Sequence, residues 1–202
     1  MLEIKNLCKR YGQTQALDNV QLSVGPGEIV GLFGENGAGK TTTIKACCGI
    51  LTPDSGSIEI AGTSVAQDPI ACKKSLAYIP DNPDLYEFMT GIKYLNFIAD
   101  LYDISGEQRT RDIRKYGDAF ELTGNLGSPI GSYSHGMRQK MMIMGALLPD
   151  PAIWILDEPM TGLDPKASWL LKQSMRRHAD AGKTVLFSTH VLDVAEKVVD
   201  RV

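Results

Sequence analysis

The stretch "EIVGLFGENGAGKTTTIKACC" (28–48) restricts this chain more than any other feature of its sequence. An apolar run with the pattern of a buried strand enters a glycine-rich loop, and apolar positions at Ile44, Cys47/Cys48 and Leu51 then recur at helical spacing. Residues 34–41, "GENGAGKT", fit G-x-x-x-x-G-K-[ST]. Glycines let backbone N–H groups converge on phosphate oxygens, and the N-terminus of the following helix adds positive potential. Gly34, Asn36, Gly37, Ala38 and Gly39 are expected to form the cradle, with Thr42 just behind it. Lys40 is expected to neutralise β- and γ-phosphates, and the Thr41 hydroxyl to ligate Mg2+. The alternative is a glycine-rich turn that only caps a helix; a strand before and a helix after favour the phosphate site.

The rest of the chain is consistent with that unit. Alternating or continuous apolar runs in "LEIKNLCKRYG" and "NVQLSVGPGEIV" predict strands at the start. "TPDSG" predicts a turn, with φ fixed at Pro53 and positive φ tolerated at Gly56, and "SIEIAG" predicts a short strand. "GIKYLNFIADLYDI" and "RDIRKYGDAFELTG" are amphipathic helices without a strong strand between them. "AIWILDEP" and "TVLFSTH" read as apolar strands on either side of the helix "PKASWLLKQSMRRHADAGK". The order predicts a parallel-sheet α/β core (1–83 and 149–202) interrupted by a helical subdomain (84–148).

At 202 residues the chain can bury roughly 70% of its unfolded surface, so its core needs neither disulfide nor metal. A net charge of −3 with both signs dispersed argues against the basic stripe that nucleic acid would need, though it leaves room for a local basic patch, and no nucleic-acid partner is expected. Cys8, Cys47, Cys48 and Cys72 form no CxxC pair and read as small buried residues in a reducing compartment. The N-terminus lacks a signal-peptide core, and "MMIMGALL" is far shorter than the roughly 18 apolar residues of a spanning helix.

Three further motifs carry chemistry. "WILDEP" (154–159) places two acids at the end of an apolar strand: Asp157 suits a Mg2+ partner, usually through water, and Glu158 a base that orients the attacking water. His190 closes "VLFSTH", at the carboxyl edge where open α/β sheets bind ligands, and suits a donor to the γ-phosphate or that water. "GSYSHGMRQK" (131–140) is the start of an amphipathic helix or half of a phosphate site. Ser134 suits an N-cap, while Met137, Met141, Met144 and Leu148 form a packing stripe.

Tyr11, residues 34–41, "YSHG" (133–136), "LDEP" (156–159), "TGLD" (161–164) and His190 occur in this order. On these residues the chain resembles the nucleotide-binding subunit of an ATP-binding cassette (ABC) transporter over all but its far C-terminus. The resemblance implies an α/β P-loop NTPase core with a mostly parallel sheet, an N-terminal antiparallel β subdomain and the inserted α-helical subdomain. It implies an ATPase with ATP and Mg2+ as cofactors, coupled to transport. The partners it implies are a second nucleotide-binding subunit, identical or homologous, and a separate transmembrane permease, which puts the chain in the cytoplasm, peripheral on the inner face of the membrane. Tyr11 would stack on adenine; Ser134, His135 and Gly136 would bind in trans the γ-phosphate held by the other subunit; Asp164 would link the two sites across the dimer.

Departures from the family pattern are Asp81 where Gln is usual, which adds a charge to a position near Mg2+, His135 where Gly is common and Met137 where Gln is common. "YSHGM" resembles an exporter-type subset whose membrane partner is a separate chain, and "DNPDLYEFMT" (81–90) is the expected contact with that partner. The family continues past "VVDRV", so a shortened chain or an unpaired sheet edge is expected there. Competing readings are a soluble ABC ATPase of translation or DNA repair, and a regulatory module that binds nucleotide without hydrolysing it. A small GTPase is disfavoured because no N-K-x-D follows the phosphate loop.

Overall fold

The computed structural model describes residues 1–191 and 199–201; residues 192–198 and 202, part of the expected core segment 149–202, lie outside the described residues. Two compact units are present, Met1–Tyr78 with Pro151–Pro159 and Ser174–Val202, and Ile79–Asp150 with Met160–Gln173.

In the first unit, β1 (Leu2–Tyr11) and β2 (Thr14–Val24) pair antiparallel, and Tyr11 meets Thr14 across a tight turn. β3 (Ile29–Phe33) leads into the phosphate loop and α1 (Lys40–Cys47), followed by β4 (Ser55–Ile60), β5 (Thr63–Ser64), α2 (Pro69–Ser75) and β6 (Leu76–Ile79). One sheet has the order β2-β1-β4-β5. β7 (Ile153–Leu156) and β8 (Thr184–Thr189) complete the other, of order β3-β8-β7-β6, where β8 runs parallel to both β3 and β7. Every residue of β7 and β8 is buried, which explains their continuous apolar runs: a parallel sheet is covered on both faces. Leu2, Ile4 and Ile60 of one sheet, Ile44 and Cys47 of α1, and Ile155 and Leu186 of the other share one cluster, so α1 packs with both. Burial pushes the Cys47 thiol up to about 12, an inert core group as expected.

The short α2 is not among the elements expected from the sequence, yet its signals are local. Asp68 caps it, accepting the Ala71 N–H at 3.0 Å, and Pro69 occupies its first turn. Residues 199–201 lie beside β3, the outer strand of this sheet. Gly31 N–H donates to Arg201 O at 3.0 Å, Asp200 N–H to Ile29 O at 2.9 Å, and Ile29 N–H to the Asp200 carboxylate at 2.9 Å.

The second unit holds α3 (Gly91–Leu101), α4 (Gly106–Ala119), two 3-10 turns (Thr123–Asn125 and Ile130–Ser132) and α5 (His135–Leu147). Thr90, Ser105 and Ser134 each cap the helix that follows by accepting the N–H three residues on. Met141, Met144 and Leu148 are buried as the stripe predicts and Met137 is half-buried, but Met142, Ile143, Ala146 and Leu147 are buried too, so the C-terminal half of α5 is enclosed all round. α6 (Pro165–Asp180) carries residues of both units. Among the described residues no helix is long and apolar enough to cross a membrane.

Candidate active site

The phosphate loop owes its shape to Gly39, the N-cap of α1, which has φ 90°. A Cβ at this position would lie 2.7 Å from Ala16 O and 2.9 Å from the Leu17 side chain, so only glycine fits. No side chain among the described residues caps α1, leaving the N–H groups of its first turn directed at the loop. Lys40 Nζ donates to Gly34 O at 2.6 Å and Glu35 O at 3.0 Å, which holds its ammonium over the loop. Asn36, Gly37, Ala38 and Thr41 are exposed, and Thr42 is half-buried. A depression of about 370 Å³ beside the loop is lined by Ala16, Leu17, Phe33, Gly39, Lys40 and Thr43. Tyr11 does not line it; its ring is half exposed at the end of β1, with the Lys9 ammonium 5.8 Å from the ring centroid.

The two acids stand directly after β7, in the same unit. Asp157 is buried, and its Oδ1 accepts the Ser188 hydroxyl at 2.5 Å. Glu158 has φ 45°, a left-handed conformation that a residue with a Cβ adopts rarely and that clusters at functional sites. Its N–H donates to Ser188 Oγ at 3.0 Å, and its Oε1 lies 3.0 Å from Nδ1 of His190, just beyond β8. Ser188 thus bridges Asp157 and Glu158, predicted from one motif, and His190, predicted from another, meets Glu158. Sequence reasoning missed Ser188; the available signal was a hydroxyl inside the otherwise apolar run "VLFS".

The second unit gathers the remaining predicted residues. The Ser134 hydroxyl caps α5 through the Met137 N–H at 3.3 Å. Gly162 has φ 77°, and a Cβ there would come within 2.6 Å of the His135 ring, so the "TGLD" loop passes closely over the imidazole. Asp164 Oδ1 accepts the Ala167 N–H at 2.8 Å, capping α6, and its Oδ2 lies 2.6 Å from Lys140 Nζ. Lys140 was not anticipated, because a contact between segments more than twenty residues apart leaves no local pattern. The hydrogen bond from Lys140, with the Ala167 N–H, lowers the Asp164 pKa. Its stabilising effect is therefore complete above the ordinary carboxylate range and is lost as pH falls through the folded value. The Asp164 side chain is 46% exposed, so the ion pair contributes little and the cap dominates. Asp164→Ala is expected to cost about 1 kcal/mol, lowering the melting temperature by about 2–4 °C, with Asp164→Asn close to wild type. Equal losses in the two variants would assign the effect to Lys140 instead. Asp81 lies exposed in the bend after β6. Nearby, Tyr86 contacts Phe88 and Phe97, both with ring centroids at 5.9 Å, and Phe88 is 85% exposed.

The family model described as ABC transporter matches residues 17–161. The chain is 40% identical over 200 residues to the ABC-type transporter ATP-binding protein EcsA of Bacillus subtilis (strain 168), covering 99% of this chain and 81% of that protein. It spans about two thirds of the length of several other relatives. A solved structure of an ATP binding subunit of an ABC transporter superposes with TM-score 0.94 at 39% identity, covering 99% of this chain and 83% of that one. A dimeric post-hydrolysis state of an ATP-binding cassette bound to ADP and Pi gives TM-score 0.86 at 25% identity, covering 96% and 90%. These similarities favour the transporter reading over a translation or DNA-repair ATPase and over a module that does not hydrolyse nucleotide. The chain belongs to the ABC transporter family, as an ATP-binding and ATP-hydrolysing subunit.

Proposed function

We propose that two copies of this chain, or one copy and a homologue, close around two ATP molecules and thereby drive a separate membrane-spanning permease. The observation that carries this reading is how the site's parts are divided. The phosphate loop, Asp157, Glu158 and His190 belong to one compact unit; Ser134, His135, Gly136 and Asp164 belong to the other. The dimeric state solved for a similar cassette supports pairing.

In this account, the N–H groups of residues 34–41 and Lys40 hold the phosphates, and Tyr11 stacks on adenine. Lys40 leaves the Gly34 and Glu35 carbonyls for phosphate oxygens. The Ser134 hydroxyl, the His135 region and the Gly136 N–H of the other subunit meet the γ-phosphate, and the N-terminal dipole of α5 adds to their pull. Glu158 orients and deprotonates the attacking water, while the His190 ring N–H that meets Glu158 without nucleotide turns to the γ-phosphate once ATP is bound. Asp164 relays the state of one site to the other. Thr41 and Asp157, in one unit, supply oxygen donors suited to Mg2+. No group of three or more His, Cys, Asp or Glu that could hold a metal exists among the described residues, which suits an ion held largely by phosphates and water. That ion, when bound, would neutralise charge on the β- and γ-phosphates.

The helical subdomain 84–148 and the segment 81–90 face the permease in this reading. The exposed Tyr86–Phe88–Phe97 cluster supports it, being an apolar surface of the kind that docks a partner. The chain then acts in the cytoplasm, on the inner face of the membrane, and "YSHGM" favours an exporter-like system.

Subunit mixing tests the shared site. Lys40→Ala and Ser134→Ala are each expected to hydrolyse ATP slowly. A heterodimer of the two contains one site in which both the phosphate loop and the signature are intact. Equimolar mixing should therefore restore about a quarter of the wild-type sites. A mixture no faster than its components would show that Ser134 does not act across a dimer.

A further inference from the structure

We infer that Ser188 is a positioning residue for hydrolysis: its single hydroxyl fixes the carboxylate of Asp157 and, through the backbone, the placement of Glu158. The inference rests on the roles proposed above for those two acids. β7 and β8 pair in parallel register, Leu156 opposite Phe187, so the next step along each strand brings Asp157 level with Ser188. Neighbouring strands lie about 4.8 Å apart, a gap that a serine hydroxyl and an aspartate carboxylate bridge without a longer side chain.

The hydrogen bonds form an ordered chain. Glu158 N–H donates to Ser188 Oγ at 3.0 Å, and the same hydroxyl donates its proton to Asp157 Oδ1 at 2.5 Å. Each bond polarises the next. Both partners are buried, Ser188 at 0% and Asp157 at 1% exposure, so water cannot substitute for the hydroxyl. At Glu158 the backbone turns to φ 45°, and its N–H goes to the serine side chain. Ser188 thus anchors the peptide whose unusual conformation sets where the Glu158 carboxylate stands. His190, two residues further along, meets that carboxylate at 3.0 Å. The segment 188–190 holds the pair of acids by backbone and side chain together.

Ser188→Ala removes the hydroxyl and leaves its volume nearly unchanged. Turnover of the full chain is expected to fall about 10- to 100-fold, as for other residues that orient ligand groups. ATP affinity in excess Mg2+ is expected to stay within about threefold, because the phosphate loop is untouched. The Mg2+ concentration that half-saturates binding of a fluorescent ATP analogue should rise, a readout independent of turnover. Ser188→Cys, a weaker donor of similar size, should fall between alanine and wild type, and it replaces alanine if that variant does not melt cooperatively. The same change made on Asp157→Asn should lose most of its effect, since the two act through one bond. Ser188→Ala turning over within about twofold of wild type, or slowing Asp157→Asn by its full factor, would overturn the proposal. If Asp157→Asn itself turns over normally, the role given to Asp157 falls as well; if Asp157→Asn is slow while Ser188→Ala is not, only the role of Ser188 falls.

Discussion

Glu158→Gln is expected to bind ATP normally and to hydrolyse it about 100- to 10,000-fold more slowly, the range assigned to a positioned general base. Glutamine keeps the length and shape of glutamate, and its carbonyl oxygen can still accept from His190 Nδ1, which lies 3.0 Å from Glu158 Oε1. The backbone cost of φ 45° is similar for both residues, so the fold should not notice the change. What disappears is the negative charge that attracts a proton from water. Phosphate release read beside equilibrium nucleotide binding separates the two effects. Turnover within about tenfold of wild type would remove Glu158 from the role of base.

Lys40→Ala is expected to weaken ATP binding about 10- to 100-fold, the consequence of losing charge-assisted hydrogen bonds worth about 1.5–3 kcal/mol. The ammonium already sits on two loop carbonyls, Gly34 O at 2.6 Å and Glu35 O at 3.0 Å, so it is poised where the phosphates are expected. Position 40 is the first residue of α1, where alanine is a good helix former, and the melting temperature should change little. AMP, which lacks the β- and γ-phosphates, should bind both proteins alike. A variant that binds ATP as tightly as wild type, or loses AMP and ATP equally, would contradict the role of Lys40.

The phosphate loop was legible because its requirements are local. Gly39 must accept φ 90° beside Ala16 O, and the strand and helix flanking it are written in consecutive residues. β7 and β8 were legible for a related reason, since burial on both faces leaves no polar position to break the run. The cap by Ser134 followed from the residue type alone. Relations between distant segments were not legible. Ser188 meets Asp157 only through the register of two strands separated by α6. Likewise, the pairing of Lys140 with Asp164 and the passage of Gly162 over His135 depend on tertiary packing, and no periodicity encodes it. α5 shows the limit of pattern reading: its methionine stripe was visible, while burial of Met142 and Ile143 outside that stripe was not.

The proposed cycle turns on completion of each nucleotide site by a second subunit. Its most direct test is the mass of the Glu158→Gln protein by light scattering, with and without ATP, at several protein concentrations. A monomer without nucleotide and a doubling of mass with ATP are expected, at a midpoint that depends on protein concentration. A protein that binds ATP yet keeps the monomer mass at every concentration would contradict it.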